Sequence, residues 1–215
     1  MKILISGILF FSLVFTYANV ESGTNTPKRY PKSKSGIIKY EISGLAIEGT
    51  EVVYYDDWGN REATHTKTTM DWGGVLVTKN ALTILEDNGR WINNVDLDSR
   101  TGIRMKNPRY KEYIGKSRIE LEKNAENKNM DAGGKRREIE MIAGKPCIVW
   151  EVRTTGVNTY TWNGIILKKT SGSGYLRTTR VATEITERVP IPEEKFTIPP
   201  DIGMKTVDIS TFHGN

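Results

Sequence analysis

Residues 52–66 read VVYYDDWGNREATHT, and this stretch decides whether the chain is a β protein built from hairpins or an enzyme that opens on an acid–base pair. Val52 to Tyr55 is a β-branched and aromatic run, the composition that fits a pleated, half-buried surface. The residues after it are turn formers: glycine and asparagine tolerate positive φ, and an aspartate side chain can bond the backbone ahead of it. The chain then resumes as the alternating, threonine-rich REATHTKTTMDW. Asp56, Asp57, Gly59 and Asn60 are therefore expected at a hairpin tip. His65 would stand in the second strand beside Thr64 and Thr66, with no acid or nucleophile fixed next to it by sequence, so a structural role is expected for it and no catalysis.

The same rhythm extends both ways. Upstream, GIIKYEISG at 36–44 alternates Ile38, Tyr40 and Ile42 with Lys39 and Glu41, the period-two signature of a half-buried strand. Downstream, GVLVTKNALTILEDNG closes in the turn Asp87-Asn88-Gly89, RWINNVDLD is a strand, and SRTG turns into IRM. Asp96, Asp98 and Gly102 resemble the start of a calcium loop, but Arg100 stands where the fifth position needs an oxygen ligand and no glutamate closes the frame. A metal-free hairpin is expected there. The last third returns to strands, with turns at Gly144-Lys145 and Thr155-Gly156. Pro190, Pro192, Pro199 and Pro200 cannot donate to a ladder, so PIPEEKFTIPPDIG should run as an extended edge with Phe196 and Ile198 as plugs.

One segment departs from this pattern. NPRYKEYIGKSRIELEKNAENKN at 107–129 is rich in helix formers. Tyr110, Ile114, Ser117 and Leu121 fall at i, i+4, i+7 and i+11 with Tyr113 alongside, which predicts one amphipathic helix. Asn107 suits the N-cap and Pro108 the first turn. In a domain made otherwise of one curved sheet, the apolar stripe must bury against the open mouth or concave face of that sheet. The helix is therefore expected to act as plug or lid, with Trp91 and Trp162 beneath it and Gly133-Gly134 permitting movement. The expected ligand-binding residues are Trp91, Tyr110, Tyr113, Ile114, Leu121 and Trp162.

Composition bounds the setting. Lys2 followed by the apolar ILISGILFFSLVF, with Thr16 and Ala18 at the −3 and −1 positions, reads as a signal peptide over 1–18 with the mature chain starting near Asn19. The run falls short of the roughly 18 residues that span a bilayer, so a soluble protein without an integral membrane segment after cleavage is expected, in the periplasm. Residues 19–35 are almost free of apolar side chains and read as a flexible linker. Residues 36–205 form the β-rich domain, and 206–215 a tail. Cys147 is the sole cysteine, so no intramolecular disulfide forms, and within an apolar strand it is expected to be a buried small hydrophobe. The formal net charge of +5 is mild and dispersed. Nucleic-acid binding would want basic residues clustered with aromatics, and GGKRRE at 133–138 is the only dense run.

Catalytic signatures are absent from the sequence: there is no nucleophile elbow, phosphate loop, dinucleotide fingerprint, HExxH or paired-cysteine zinc spacing. No cofactor, metal or catalytic residue is expected. The chain is instead rich in amphipathic aromatic surface, with Trp58, Trp72, Trp91, Trp150 and Trp162 in or beside predicted strands. Several strands are apolar on both faces, as in VVYY and GIIL. Either a helix covers the outer face, or the inner face lines a cavity that an apolar ligand fills, or the core is simply large.

The order SGIIKYEISG, VVYYDDWGNREA, a helix in the connecting region, then IAGKPCIVWEV, TYTWNGIILKK and VATEI resembles the LolA/LolB-like superfamily of periplasmic proteins over roughly residues 36–202. That resemblance implies a mainly β fold, an antiparallel half-open β-barrel around a hydrophobic cavity closed by helical segments. It also implies a role in holding a lipid or acyl chain, as a carrier between membranes. The alternative reading is a non-enzymatic scaffold that binds other envelope proteins and whose barrel is filled by its own side chains; a hydrolase centred on His65 is the third.

Overall fold

The computed structural model describes residues 28–208 apart from 31, 115, 117 and 173. The signal peptide expected over 1–18, the expected start near Asn19 and His213 lie outside the described residues. The first half of the domain is a meander of six strands: β1 (Gly36–Gly44), β2 (Ile47–Asp56), β3 (Arg61–Trp72), β4 (Val75–Glu86), β5 (Trp91–Asp96) and β6 (Thr101–Lys106). Two helices follow, α1 (Tyr110–Tyr113) and α2 (Arg118–Asp131). The chain returns as β7 (Gly134–Arg136), β8 (Glu140–Ile142), β9 (Lys145–Val152), β10 (Val157–Trp162), β11 (Ile165–Ser171) and β12 (Thr178–Glu187), and ends in β13 (Gly203–Val207). The strands form one large sheet ordered β13-β6-β5-β4-β3-β2-β1-β12-β11-β10-β9-β7, with β8 on the same edge of β9 as β7. Every pairing is antiparallel except β13 with β6, which is parallel. The expected mainly β, half-open antiparallel sheet with one principal helix is the observed architecture.

The opening hairpin folds as its turn chemistry dictates. Asp57–Gly59 makes a single 3-10 turn, with positive φ at Asp57, Trp58 and Gly59, and the Asp56 carboxylate accepts the Asp57 backbone N–H at 2.7 Å. The strands on either side pair Asp56 with Arg61 and continue in register to Ile47 with Met70.

The segment Lys28–Ser35, expected to belong to the flexible linker, is packed instead. The Tyr30 N–H donates to Trp58 O at 2.8 Å and the Trp58 N–H to Lys34 O at 2.9 Å, so this strap is stitched across the hairpin tip. The Tyr30 ring is buried and edge-on to Tyr55. Ser33, also buried, hydrogen-bonds the Tyr55 hydroxyl at 2.6 Å. One aromatic side chain, by burying its ring, offsets the ordering entropy of its neighbours, which composition alone does not show.

Because side chains alternate across a strand, the sheet carries two separate apolar clusters. On the inner face Ile38, Tyr40, Val53, Tyr55, Val149, Tyr160, Ile165 and Leu167 pack together. Cys147 is fully buried among them, as expected, and burial pushes its thiol pKa up. On the outer face Ala63, Leu82, Ile84 and Val95 are covered by Phe196, with Ile191, Ile198, Ile202 and Met204 packed around. PIPEEKFTIPPDIG is thus a cover strip with a one-turn 3-10 helix at Glu193–Phe196 and not a wholly extended edge; the edge strand is β13 after it. Phe196 and Ile198 act as the plugs that were expected.

The single helix expected over 107–129 is two. Ile114 is extended, with φ −60° and ψ 131°, and ends α1 after one turn. The stripe Tyr110, Ile114, Ser117, Leu121 is therefore split, and Ile114 and Ile119 are exposed. In the sequence Gly115 follows Ile114, and glycine is a poor interior helix residue.

Candidate functional site

Between α2 and the inner face of the sheet lies a cavity of about 720 Å³. Its floor comes from inward-pointing positions of successive strands: Tyr40 on β1, Val53 on β2, Glu62 and Thr64 on β3, Leu85 on β4 and Ile92 on β5. Cross-strand register places them on one face, since Glu62 pairs with Leu85 and Leu85 with Ile92. Ile165, Ile166 and Arg180 close the side toward β11 and β12, and Arg29 and Tyr30 of the strap close another. The roof is chemically different. Apart from Leu121 and Ala125 it presents Asn107, Arg109, Glu112, Lys116, Asn124, Asn127 and Lys128.

Two charged networks bound the floor. The Arg180 Nε donates to Glu51 Oε1 at 2.8 Å, Nη2 donates to the same oxygen, and Nη1 donates to Ile166 O at 3.2 Å. The guanidinium lies 3.4 Å from the Tyr40 ring centroid, a stacking geometry available to arginine because its head is planar and weakly hydrated. Burial opposes the Arg180 charge, but Tyr40 and Glu51 outweigh it and raise its pKa further. Burial pushes the Tyr40 phenol up to about 12, so it is a neutral donor, and its hydroxyl reaches Ile166 O at 3.1 Å. In the second network the Tyr30 hydroxyl donates to Glu62, and Arg29 lies 3.5 Å from the same carboxylate while donating to Gly59 O at 2.6 Å. Burial, then the Glu62 charge, hold the Tyr30 pKa well above its ordinary value.

The lid is pinned by Glu112. Its carboxylate takes Lys128 Nζ of α2 at 2.5 Å and Arg109 Nε at 3.0 Å. Burial opposes the Glu112 charge, but these two cations outweigh it and lower its pKa. The pin lies at the surface, where such pairs contribute little and weaken with salt.

Of the expected ligand-binding residues, Leu121 lines the cavity. Tyr110, Ile114, Trp91 and Trp162 are not among its lining residues, and Tyr113 ends α1 with its side chain outside the described atoms. Trp91 is half-buried under Arg104, whose guanidinium is 4.8 Å from the ring centroid, and Trp162 packs against the inner cluster with Lys145 4.6 Å from its centroid. Sequence reasoning missed Arg29 and Tyr30, assigned to the linker, and Tyr40 and Arg180. The signals were present: Tyr30 is a lone aromatic in a polar segment, and Tyr40 shares its strand face with Ile38. Asp56 spends its carboxylate on the turn. His65 stacks edge-on against Tyr54, and its Nε2 has no hydrogen-bond partner among the described residues. Asp96 likewise accepts the backbone N–H groups of Asp98 and Ser99, and Asp98 takes the Asn80 backbone and amide.

No protein-family model matches this chain, and no curated protein matches it. Solved structures are similar in fold. An uncharacterized conserved protein from Thermus thermophilus superposes with a TM-score of 0.52 at 7% identity, over 83% of this chain and 95% of that one. MucB gives 0.44 at 11% identity over 82% of this chain and 61% of its own length. A structure of the Pseudomonas aeruginosa MucA/MucB complex gives 0.45 at 11% identity over 85% and 62%. What this chain and the Thermus protein have in common is the fold.

Proposed function

We propose that this protein is an exported, non-enzymatic binding protein of the LolA-like type, working in the periplasm, that holds a lipid or similar amphiphile under α2 as a carrier between membranes. The observation that supports this reading is the asymmetry of the cavity. Its floor offers Val53, Leu85, Ile92 and Ile165, against which an acyl chain gains about 0.8 kcal/mol per CH₂ removed from water. Its roof offers Lys116 and the amides of Asn107, Asn124 and Asn127, polar groups that can meet a head group, while Arg109 and Lys128 are already paired with Glu112. The size falls in the range of small-molecule sites, about 300–1,000 Å³. A core filled by its own side chains would leave no such space, which disfavours the self-filled scaffold.

Titration with a fluorescent fatty-acyl probe, together with native mass spectrometry for co-purified lipid, tests the reading. Saturable uptake is expected, weakened at least about tenfold by Leu121→Asp, which places a charge against the chain. Ile114→Asp, outside the lining, should leave uptake unchanged. A chain that takes up no probe and carries no lipid returns the protein to the scaffold reading.

A further inference from the structure

The turns at one end of the sheet make a second surface, away from the cavity roof. One rung of cross-strand neighbours runs over six adjacent strands: Ser171 pairs with Thr178, Gly44 lies beside Thr178 and pairs with Ile47, Ile47 pairs with Met70, and Met70 with Val77. Beyond this rung the chain soon reverses, through Leu45–Ala46, through the end of the β3–β4 ribbon, where Asp71 pairs with Leu76 and Trp72 with Val75 around the turn at Gly73 and Gly74, and through the one-turn 3-10 helix Gly174–Leu176. These turns, far apart in sequence, carry Leu45, Val75, Leu76, Tyr175 and Leu176, all 61–79% exposed. Their only charged residues are Asp71, whose carboxylate accepts the Gly74 N–H at 2.6 Å, and Arg177. Gly73 and Gly74 hold positive φ, and a Cβ on either would meet nothing within 4 Å, so the tip stands in open space.

We propose that this rim docks on the surface of an anionic lipid bilayer, its turn side chains entering the boundary between head groups and acyl chains. Val75, Leu76 and Val77 are consecutive and exposed, so the ribbon tip is apolar on both faces. That suits a medium surrounding the tip, where a docked protein would need one apolar face. Within three residues behind the rung, about 10 Å along a strand, stand Lys67, Lys79, Lys168, Lys169 and Arg180 against Glu41 and Glu48, with Arg180 itself paired to Glu51. With Arg177 they form a collar, predominantly basic, at the depth where lysines reach phosphates while the apolar tips stay buried. A protein strand could instead add to the outer edge of β4, where β5 pairing begins at Ala81 with Asp96 and Asn80 is bonded by Leu97 and Asp98. Such a strand would leave Leu45, Tyr175 and Leu176, on the far side of β3, uncovered; a flat surface lying across the strand ends covers all three turns at once.

The test is vesicle flotation with phosphatidylcholine alone and with phosphatidylcholine mixed with phosphatidylglycerol. The chain is used entire and without residues 1–18, so that binding by the N-terminal apolar run is separated from binding by the rim. Both forms should float with the mixed vesicles. Leu45→Glu, Leu76→Glu and Leu176→Glu combined should weaken this at least about tenfold with an unchanged thermal midpoint, as exposed positions allow. An environment-sensitive dye on Leu76→Cys should shift to the blue with vesicles, and the same dye on Asn88→Cys, in the turn at the opposite end of β4, should not. Cys147 is buried and does not compete for label. Flotation that is lost with residues 1–18, survives the triple change, or shifts both dyes equally overturns the proposal. So does association of the wild-type chain with itself through the rim in place of vesicles. None of these readouts requires an occupied cavity.

Discussion

Over the outer face of the sheet the chain lays a short strip, from Ile191 to Met204, whose Phe196 and isoleucines fill the gaps between Ala63, Leu82, Ile84 and Val95. Over the inner face it lays α1 and α2, whose contribution facing the sheet is mostly asparagine, lysine and arginine around one leucine. The shorter cover makes a close-packed core, and the longer one leaves about 720 Å³ of space. The difference is one of side-chain chemistry. An apolar strip gains free energy by closing on an apolar face, whereas a polar helix keeps its hydration by standing off from it. The better-packed cover is therefore expected to hold the fold, and the looser one to move.

The largest effect expected from this contrast is on stability. Phe196→Ala removes the plug of the outer cluster and should cost about 3–5 kcal/mol in denaturant unfolding, while acyl-probe uptake by the molecules that remain folded stays unchanged. If uptake falls in step with stability, the two faces are coupled and the contrast fails. Gly59→Val should come next, at about 1–3 kcal/mol: it forces a β-branched residue to φ 81°, with a Cβ 2.5 Å from the Tyr30 ring. Tyr30 is also a cavity wall, so here uptake should change together with the unfolding midpoint. A Gly59→Val protein with a lowered midpoint and wild-type uptake would detach the strap from the inner cover.

The smallest effect is a pH dependence on the outer side. Burial, then the Lys195 charge, lower the His65 pKa, with a backbone hydrogen bond at Lys195 acting the other way. Below the ordinary histidine value of about 6.5 the unfolded chain binds a proton more readily than the folded one, so stability rises with pH through that window. The contribution is fully present above about 6.5 and is lost as pH falls through the lower folded value. His65→Gln should flatten this part of the stability profile, read as the difference in denaturant midpoint between the two sides of the window. An unchanged profile would locate the titration elsewhere.

Strand alternation was readable wherever a residue's partner was water or the sheet itself. The hairpin at Asp56–Asn60, the alternating β1 and the plugs Phe196 and Ile198 follow from local rules, because turn conformation and side-chain alternation are set by neighbours in the chain. The candidate site was less legible. Of the expected ligand-binding residues whose side chains are described, Leu121 lines the cavity, whereas the helix breaks at Ile114 and the tryptophans Trp91 and Trp162 lie beneath cationic side chains.

The sequence by itself determined the class of fold, the position of the turns, the absence of local catalytic motifs and the pattern by which each strand offers two faces. Only the tertiary structure decided which element covers which face. Tyr30 is a polar-segment residue until it meets Gly59 and Tyr55, and Arg180 an ordinary strand cation until Glu51 and Tyr40 surround it. The physical reason is distance along the chain. Backbone geometry is fixed by interactions between near neighbours, but burial, pairing of charge and the space left between two layers depend on residues far apart in sequence, 129 positions for Glu51 and Arg180, that only packing brings together.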